Sequence, residues 1–350
     1  MQLLAKKVAC FCRAGPSVGG GHVTRCLALL REIKEQGARC IFICDQNTHE
    51  VIDKFKECSE ESKYFDVLEE NKFRLTGDRF DICILDDPLA SKDKICQIRQ
   101  CCRLLVIISD TPQRFDDVDI LIDQTLGRCA EDYIGQIPSS SKLLLGSQFA
   151  MISKKFLKKR QNKINRTRKS LRRIFVSMGA SFTPTLDDQI VLAIARSDFR
   201  GDVCFLAWGA SKDRLEEIRK KLEQHCSTVE VISETNQIEE WLEWCDLVIG
   251  AGGMSSWERC TMSAPSIVTV IADNQLDNAM SLKALGAALV FDWREVRKIS
   301  DLSESINYLL NPNNALKNLS SRAGEIIDGL GAHRVMRECS KSIEQAVWEK

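Results

Sequence analysis

The chain has 350 residues, of which 44% are hydrophobic and 28% charged, enough apolar material for two packed domains. Lys+Arg and Asp+Glu both number 49, so the formal net charge is zero. That balance supplies no general pull toward nucleic acid or an anionic membrane, and an anionic ligand has to be held by local features.

The residues up to Cys10 lack an apolar segment ending in a small-residue cleavage site and read as the approach to a first strand. No apolar run reaches the roughly 18 residues of a membrane span. A cytoplasmic protein is the expectation.

Short apolar runs then alternate with helical patterns, which predicts parallel sheets built from βαβ units, an α/β fold. Val8 to Cys12 is the first strand, followed by a glycine-rich loop from Gly15 to Gly21. A helix over about Val23 to Gln36 stops at Gly37. Cys40 to Cys44, Ile82 to Leu85, Leu104 to Ile108 and Ile120 to Ile122 are further strands, each closed by polar or turn residues. In open parallel sheets ligands bind at those carboxyl ends. From Lys154 to Arg173 the chain is dense in Lys and Arg, which reads as a solvated helix and linker rather than a nucleic-acid patch, because little aromatic is interleaved.

The pattern then restarts. Strands are expected at Arg173–Ser177, Val203–Ala207, Val229–Ile232, Leu247–Gly250, Ile267–Val270 and Ala288–Phe291, with a helix over about Thr185 to Ala195. A last amphipathic helix, about Ala332 to Trp348, packs back on the body. The expected organisation is a Rossmann-like domain over 1–153, a basic linker over 154–172, a nucleotide-binding domain over 173–330 and the closing helix over 331–350.

Sixteen cysteines are scattered along the chain without a C-x-x-C pair. Cys10/Cys12 and Cys101/Cys102 are not spaced as zinc ligands, so buried reduced thiols are expected ahead of disulfides or a metal site.

Two glycine loops carry the candidate chemistry. In Gly19-Gly20-Gly21-His22-Val23-Thr24-Arg25-Cys26 no Lys-Ser/Thr follows the glycines, and Thr24 stands where a dinucleotide loop has its third glycine. The helix start behind the loop favours an anion such as a diphosphate. His22 at the sheet's carboxyl edge suits a general base, or equally a structural cap of the helix. Arg25, one turn on, suits a phosphate, a carboxylate or plain solvent. In the second loop, Gly250-Ala-Gly-Gly253-Met254-Ser255-Ser256-Trp-Glu258, the serines can cap the helix, backbone N–H groups near Met254 to Ser256 can face a pyrophosphate, and Glu258 can accept from a ribose diol. The competing reading is a tight turn with a capping-type Glu. Asn274 and Gln275, at a strand end, offer donors and acceptors for sugar hydroxyls or amides. Asp87 and Asp110 read as strand-end carboxylates that cap turns or face solvent, in preference to a glycosidase pair.

Taken together these segments resemble a family. Gly19-Gly-Gly-His-Val-Thr-Arg-Cys-Leu-Ala-Leu is similar to the G-x-G-H-x-x-R-C-L-x-L opening of the pseudaminic acid pathway hydrolases that cleave UDP-2,4-diacetamido-2,4,6-trideoxy-β-L-altropyranose. Asp119-Ile-Leu-Ile-Asp-Gln-Thr-Leu-Gly, Ala130-Glu-Asp-Tyr, Leu143-Leu-Leu-Gly-Ser-Gln-Phe-Ala, Ser177-Met-Gly-Ala, Gly250-Ala-Gly-Gly-Met-Ser-Ser-Trp-Glu-Arg and Ala272-Asp-Asn-Gln follow in family order. The later loops also look like those of MurG-type glycosyltransferases. The resemblance implies a GT-B fold, two Rossmann-like domains with parallel sheets facing a central cleft. It implies that His22 activates water for inverting attack at sugar C1, with UDP leaving. Gly21, Met254, Ser255, Ser256 and Glu258 would hold UDP and Asn274 the sugar. Arg13, Gly20, Arg25, Asp86, Gly179, Gly253 and Gln275 join the implied binding set. No metal or cofactor is implied; the partners are the UDP-sugar and other enzymes of the same sugar pathway, not nucleic acid or membrane. Two positions depart from the family pattern: Gly15 stands for an Asp, and Asp86-Asp87-Pro88 for Asp-His-Tyr, so Pro88 removes an aromatic ring and Asp87 is left as a polar contact. A GT-B glycosyltransferase using a UDP-amino sugar and a non-catalytic nucleotide-sugar-binding protein are the alternatives.

Overall fold

Strand β1 (Lys7–Cys12) is fully apolar after its first residue, and every residue after Lys7 is buried, as a strand in the middle of a parallel sheet must be. A computed structural model describes residues 3–15, 19–49, 51–52, 66–69, 79–164, 170–179, 184–294, 299–312 and 314–346. Pro16 and Ser17 of the first glycine loop, Ala180 and Ser181 after Gly179, part of the basic stretch and the last four residues lie outside them.

The chain forms two units. One comprises Met1–Ser153 with Gly329–Lys350, the other Lys154–Asp328. In the first unit β1, β2 (Arg39–Cys44), β3 (Asp66–Glu69), β4 (Phe80–Asp86), β5 (Cys102–Ile108), β6 (Ile120–Asp123) and β7 (Lys142–Leu145) form one sheet in the order β3-β2-β1-β4-β5-β6-β7. All its pairings are parallel. β3 and β7 are short strands absent from the expectation; β7 is a four-residue run bounded by polar residues, too brief for a periodicity to show. Helix α1 (Gly21–Glu35) buries Val23, Cys26, Leu27, Leu30 and Ile33 and stops where Gly37 takes φ 88°. The closing helix (Gly331–Gln345) lies against α1, burying Val335, Met336, Cys339 and Ile343 in the same core.

In the second unit β8 (Arg173–Ser177), β9 (Asp202–Leu206), β10 (Thr228–Ile232), β11 (Leu247–Ala251), β12 (Ser266–Val270) and β13 (Leu289–Asp292) form a parallel sheet in the order β10-β9-β8-β11-β12-β13. The order reverses between β1 and β4 in one sheet and between β8 and β11 in the other. Those are the switch points where open parallel sheets bind ligands. Both glycine loops begin at a strand that flanks one of them.

The basic stretch is not a solvated linker helix. Lys154–Ile164 is a helix whose Lys155 pairs with Glu239 (2.9 Å) and Lys159 with Glu240 (2.8 Å) and Glu243 (2.9 Å). Arg160 donates to the carbonyls of Thr261 (2.8 Å), Gly324 (2.7 Å) and Ile327. It satisfies carbonyls that helix ends leave open, which composition alone does not show.

Asp187, in the first turn of the helix Pro184–Arg196, is buried, and burial raises its carboxyl to about 7, with Arg214 opposing and Asp188 adding. A raised folded value means the native state holds an extra proton between the usual carboxylate range and about 7. Stability therefore falls as pH rises through that window. Asp187→Asn should be nearly neutral in acid and stabilising by about 1–3 kcal/mol at alkaline pH. Thermal melts of both proteins across pH check this, and a difference that does not grow with pH contradicts it.

Candidate active site

The β1–β4 pairing sets Cys12 beside Asp86, and the Arg13 N–H continues the ladder to the Asp86 carbonyl at 3.1 Å. The chain then turns through the glycines into α1. Gly20 is the helix N-cap and its side of the turn holds no side-chain cap, so His22 is not a capping histidine. Its ring instead points back to the end of β4, with Nδ1 2.7 Å from Asp86 Oδ1. The His22 side chain retains 12% exposure while that of Asp86 retains 1%.

Arg25, one turn further, fixes the carboxylate. Its Nε donates to Asp86 Oδ2 at 2.6 Å and its Nη2 to Asp86 Oδ1 at 2.7 Å, while Nη1 donates to both Asp110 oxygens at 2.7 and 2.8 Å. Arg25 Nη2 also lies 3.0 Å from His22 Nδ1. A guanidinium only donates, so Nδ1 cannot serve both neighbours. The carboxylate contact is the shorter and charge-assisted one, and it assigns the proton to Nδ1, leaving Nε2 with a lone pair. Burial works against protonation of His22, but Asp86 outweighs it with help from Asp110 and against Arg25, so its pKa is raised. Asp86 is held well below the usual carboxylate range because Arg25 and His22 together overcome its desolvation.

Of the options for Arg25 the carboxylate contact is the one realised, and the implied placing of Asp86 and Arg25 among the substrate contacts does not fit their burial, since they are taken up by each other behind the imidazole. Asp110 does not face solvent bare but pairs with Arg25, and Thr125 Oγ1 and Arg128 Nη2 each donate to its carbonyl at 3.3 Å. Asp87 does cap a turn, accepting from the Leu89 N–H at 3.0 Å, yet it also takes Arg13 Nε at 2.7 Å and Lys94 at 3.0 Å. Buried with its oxygens occupied, Asp87 is not a free polar contact. Arg13 also reaches Asp45 at 3.1 Å. Asp45 and Lys94 belong to this network and carry no motif that would mark them in sequence.

In the second unit β11 places Gly250 beside Ser177, and a methyl on Gly250 would stand 2.9 Å from the Ser177 carbonyl oxygen. Gly179, after β8, has φ 81°. The helix Ser255–Thr261 starts from Met254 without a side-chain cap, so Ser255 and Ser256 do not cap it. Their hydroxyls accept from Arg259 at 3.1 and 2.8 Å, and Arg259 Nη2 also holds the Ala251 carbonyl at 2.8 Å. The Ser256 N–H closes on the Gly253 carbonyl at 2.9 Å and is not open to an anion. Arg259 is buried, which lowers its pKa to about 10, and it donates to two hydroxyls and a carbonyl rather than to a carboxylate. A nearly uncompensated positive charge thus underlies the loop.

Glu258 is half-buried and its pKa is raised by burial, with Lys155 and Arg259 countering. Among the described residues its carboxylate has no hydrogen-bond partner, which suits an acceptor kept for a ligand. Asn274 is exposed. Gln275 turns inward instead: its Oε1 accepts from Gly252 N–H (3.2 Å) and Ile271 N–H (3.1 Å), so its carbonyl braces the loop.

Comparison with known proteins agrees with this architecture. Residues 189–333 match the glycosyltransferase family 28 C-terminal domain. An uncharacterized protein of Methanocaldococcus jannaschii, MJ1062, is 22% identical over 77% of this chain and 56% of its own length, so the chain spans little more than half of that relative. The UDP-2,4-diacetamido-2,4,6-trideoxy-β-L-altropyranose hydrolase of Campylobacter jejuni is 23% identical over 68% of this chain and 82% of that protein. The crystal structure of MurG from Acinetobacter baumannii superposes with a TM-score of 0.69 at 14% identity, covering 96% of this chain and 99% of MurG. Among the described residues no helix is long and apolar enough to cross a membrane. The chain has a GT-B fold, and its residues 189–333 match the glycosyltransferase family 28 C-terminal domain.

Proposed function

We propose that the protein hydrolyses a UDP-linked diacetamido-trideoxy sugar at C1, releasing UDP and the free sugar. The observation that carries this is the His22–Asp86 pair, 2.7 Å apart, which assigns the proton to Nδ1 and leaves Nε2 with a lone pair on a side chain that keeps 12% exposure. His22 Nε2 takes a proton from water as the water oxygen bonds to C1. The C1–O bond to the β-phosphate breaks on the opposite face, so the configuration inverts. Asp86 stabilises the imidazolium that forms, and Arg25 keeps Asp86 ionised for that task. Glu258 accepts from the ribose diol, Asn274 contacts the sugar, and the Arg259 charge beneath the Gly250–Ser256 loop favours the diphosphate. The Campylobacter relative supports hydrolysis and the family 28 match supports glycosyl transfer, so the two readings differ in what receives the sugar.

The test is to incubate the purified chain with the UDP-diacetamido-trideoxy sugar and no acceptor, and to follow UDP. Release in water is expected. Release only when a sugar acceptor is added would replace hydrolysis by transfer, and tight binding without turnover would leave a binding protein.

A further inference from the structure

The cysteines were expected to be inert, and no local spacing marks a metal site. The fold nevertheless gathers three of them beneath the candidate base. Cys10 and Cys12, two residues apart on β1, face the same side of the sheet, and Cys26 on α1 packs into the same core there. Cys26 Sγ also lies 3.4 Å from Asp86 Oδ2. Cys12 Sγ, Cys26 Sγ and an Asp86 oxygen all fall within 4.8 Å of one another.

We propose that Cys12, Cys26 and Asp86 form a site for a soft divalent cation, Zn2+ or Cd2+, and that its occupancy disables His22. In a tetrahedral thiolate site with metal–sulfur bonds of about 2.3 Å, neighbouring ligand atoms stand about 3.8 Å apart, so only small movements close these three around an ion. Two sulfurs with one carboxylate select Zn2+ or Cd2+ over Mg2+ or Ca2+. Charge balance removes the usual objection to a buried ion. The ion brings two positive charges and the two thiols release two protons to solvent, so the net charge of the cluster with Asp86, Asp110 and Arg25 is unchanged. Asp86 is the shared group. The oxygen beside Cys26 is Oδ2, the one that accepts from Arg25 Nε, so an ion bound there displaces Arg25 and takes up the negative charge with which Asp86, through Oδ1, would stabilise the His22 imidazolium.

The binding half is read without turnover. The chain, kept reduced by a phosphine, carries serine at the exposed Cys96 and Cys129 and at Cys58, which lies outside the described residues. Titration with Cd2+ is expected to give one ion per chain, a thiolate-to-cadmium absorption band and two protons released per ion. Adding Cys12→Ser and Cys26→Ser should abolish the band, while Cys40→Ser leaves it intact. A band unchanged in the double variant overturns the site, as does a folded parent that takes up no Cd2+. Should the double variant not fold, X-ray absorption on the parent decides: at least two sulfur ligands support the site, and none overturns it. The inhibitory half rests on the proposed hydrolysis. Zn2+ should lower UDP release about tenfold or more, reversibly on chelation. Stoichiometric binding with undiminished release overturns that half alone.

Discussion

Replacing His22 by Ala is expected to lower UDP release by about 10²–10⁴ while substrate affinity stays near that of the parent. The ring is lodged against Asp86 at the head of α1 and does not cap the helix, so its loss removes a proton acceptor and leaves the fold standing. Asp86→Asn separates positioning from chemistry. The amide cannot balance an imidazolium and no longer obliges the proton to sit on Nδ1, and a loss of about 10²–10⁴ is expected. The pH profile gives the sharper reading. His22 must be neutral to act, and Asp86 is the group that raises its pKa against the effect of burial. In the parent, turnover therefore climbs with pH through a value above that of an ordinary histidine. In Asp86→Asn burial and Arg25 act unopposed by that carboxylate, and the residual acid limb moves to lower pH. Loss of affinity with intact turnover in His22→Ala would make it a structural residue, and an unmoved acid limb in Asp86→Asn would refute the pairing.

How far the sequence foretold this site follows from the range of each interaction. His22 and its loop were legible because a strand, glycines and a helix start are local patterns. All six strands of the second sheet were legible because buried parallel strands read as short apolar runs bounded by turns. The role of Asp86 was not legible. It lies far from His22 in sequence, and only the β1–β4 register sets it beside the loop. The resemblance placed it among the binding residues, whereas in the fold it is buried against His22 and Arg25. Gln275 misled in part for the same reason: its polarity was visible, but one of the two backbone N–H groups that claim its oxygen, that of Gly252, comes from the end of β11, 23 residues away. The basic helix misled through composition, since Lys and Arg usually mark solvent and here Arg160 serves three carbonyls.

Arg25 shows most directly that the site is also a structural element, and Arg25→Leu is expected to cost about 3–5 kcal/mol, since it leaves a buried carboxylate without its cation. For a unit of this size that corresponds to a fall of roughly 6–20 °C in melting temperature. Arg25→Lys should recover little, because one ammonium cannot span two carboxylates with the fork that reaches both oxygens of Asp86 and both of Asp110. The pH dependence distinguishes charge from lost packing. In the parent, Asp86 has a depressed pKa, so its contribution is complete above the unfolded carboxylate value and is lost as pH falls. In Arg25→Leu the first cause of that depression is gone while desolvation remains, so Asp86 prefers its proton and stability declines as pH rises. The two trends run in opposite directions, and the stability difference between parent and variant should widen steadily from acid to neutral pH. Denaturant melts at several pH values measure it, and a gap independent of pH would mean that Arg25 acts through the packing of its stem and not through the carboxylates it joins.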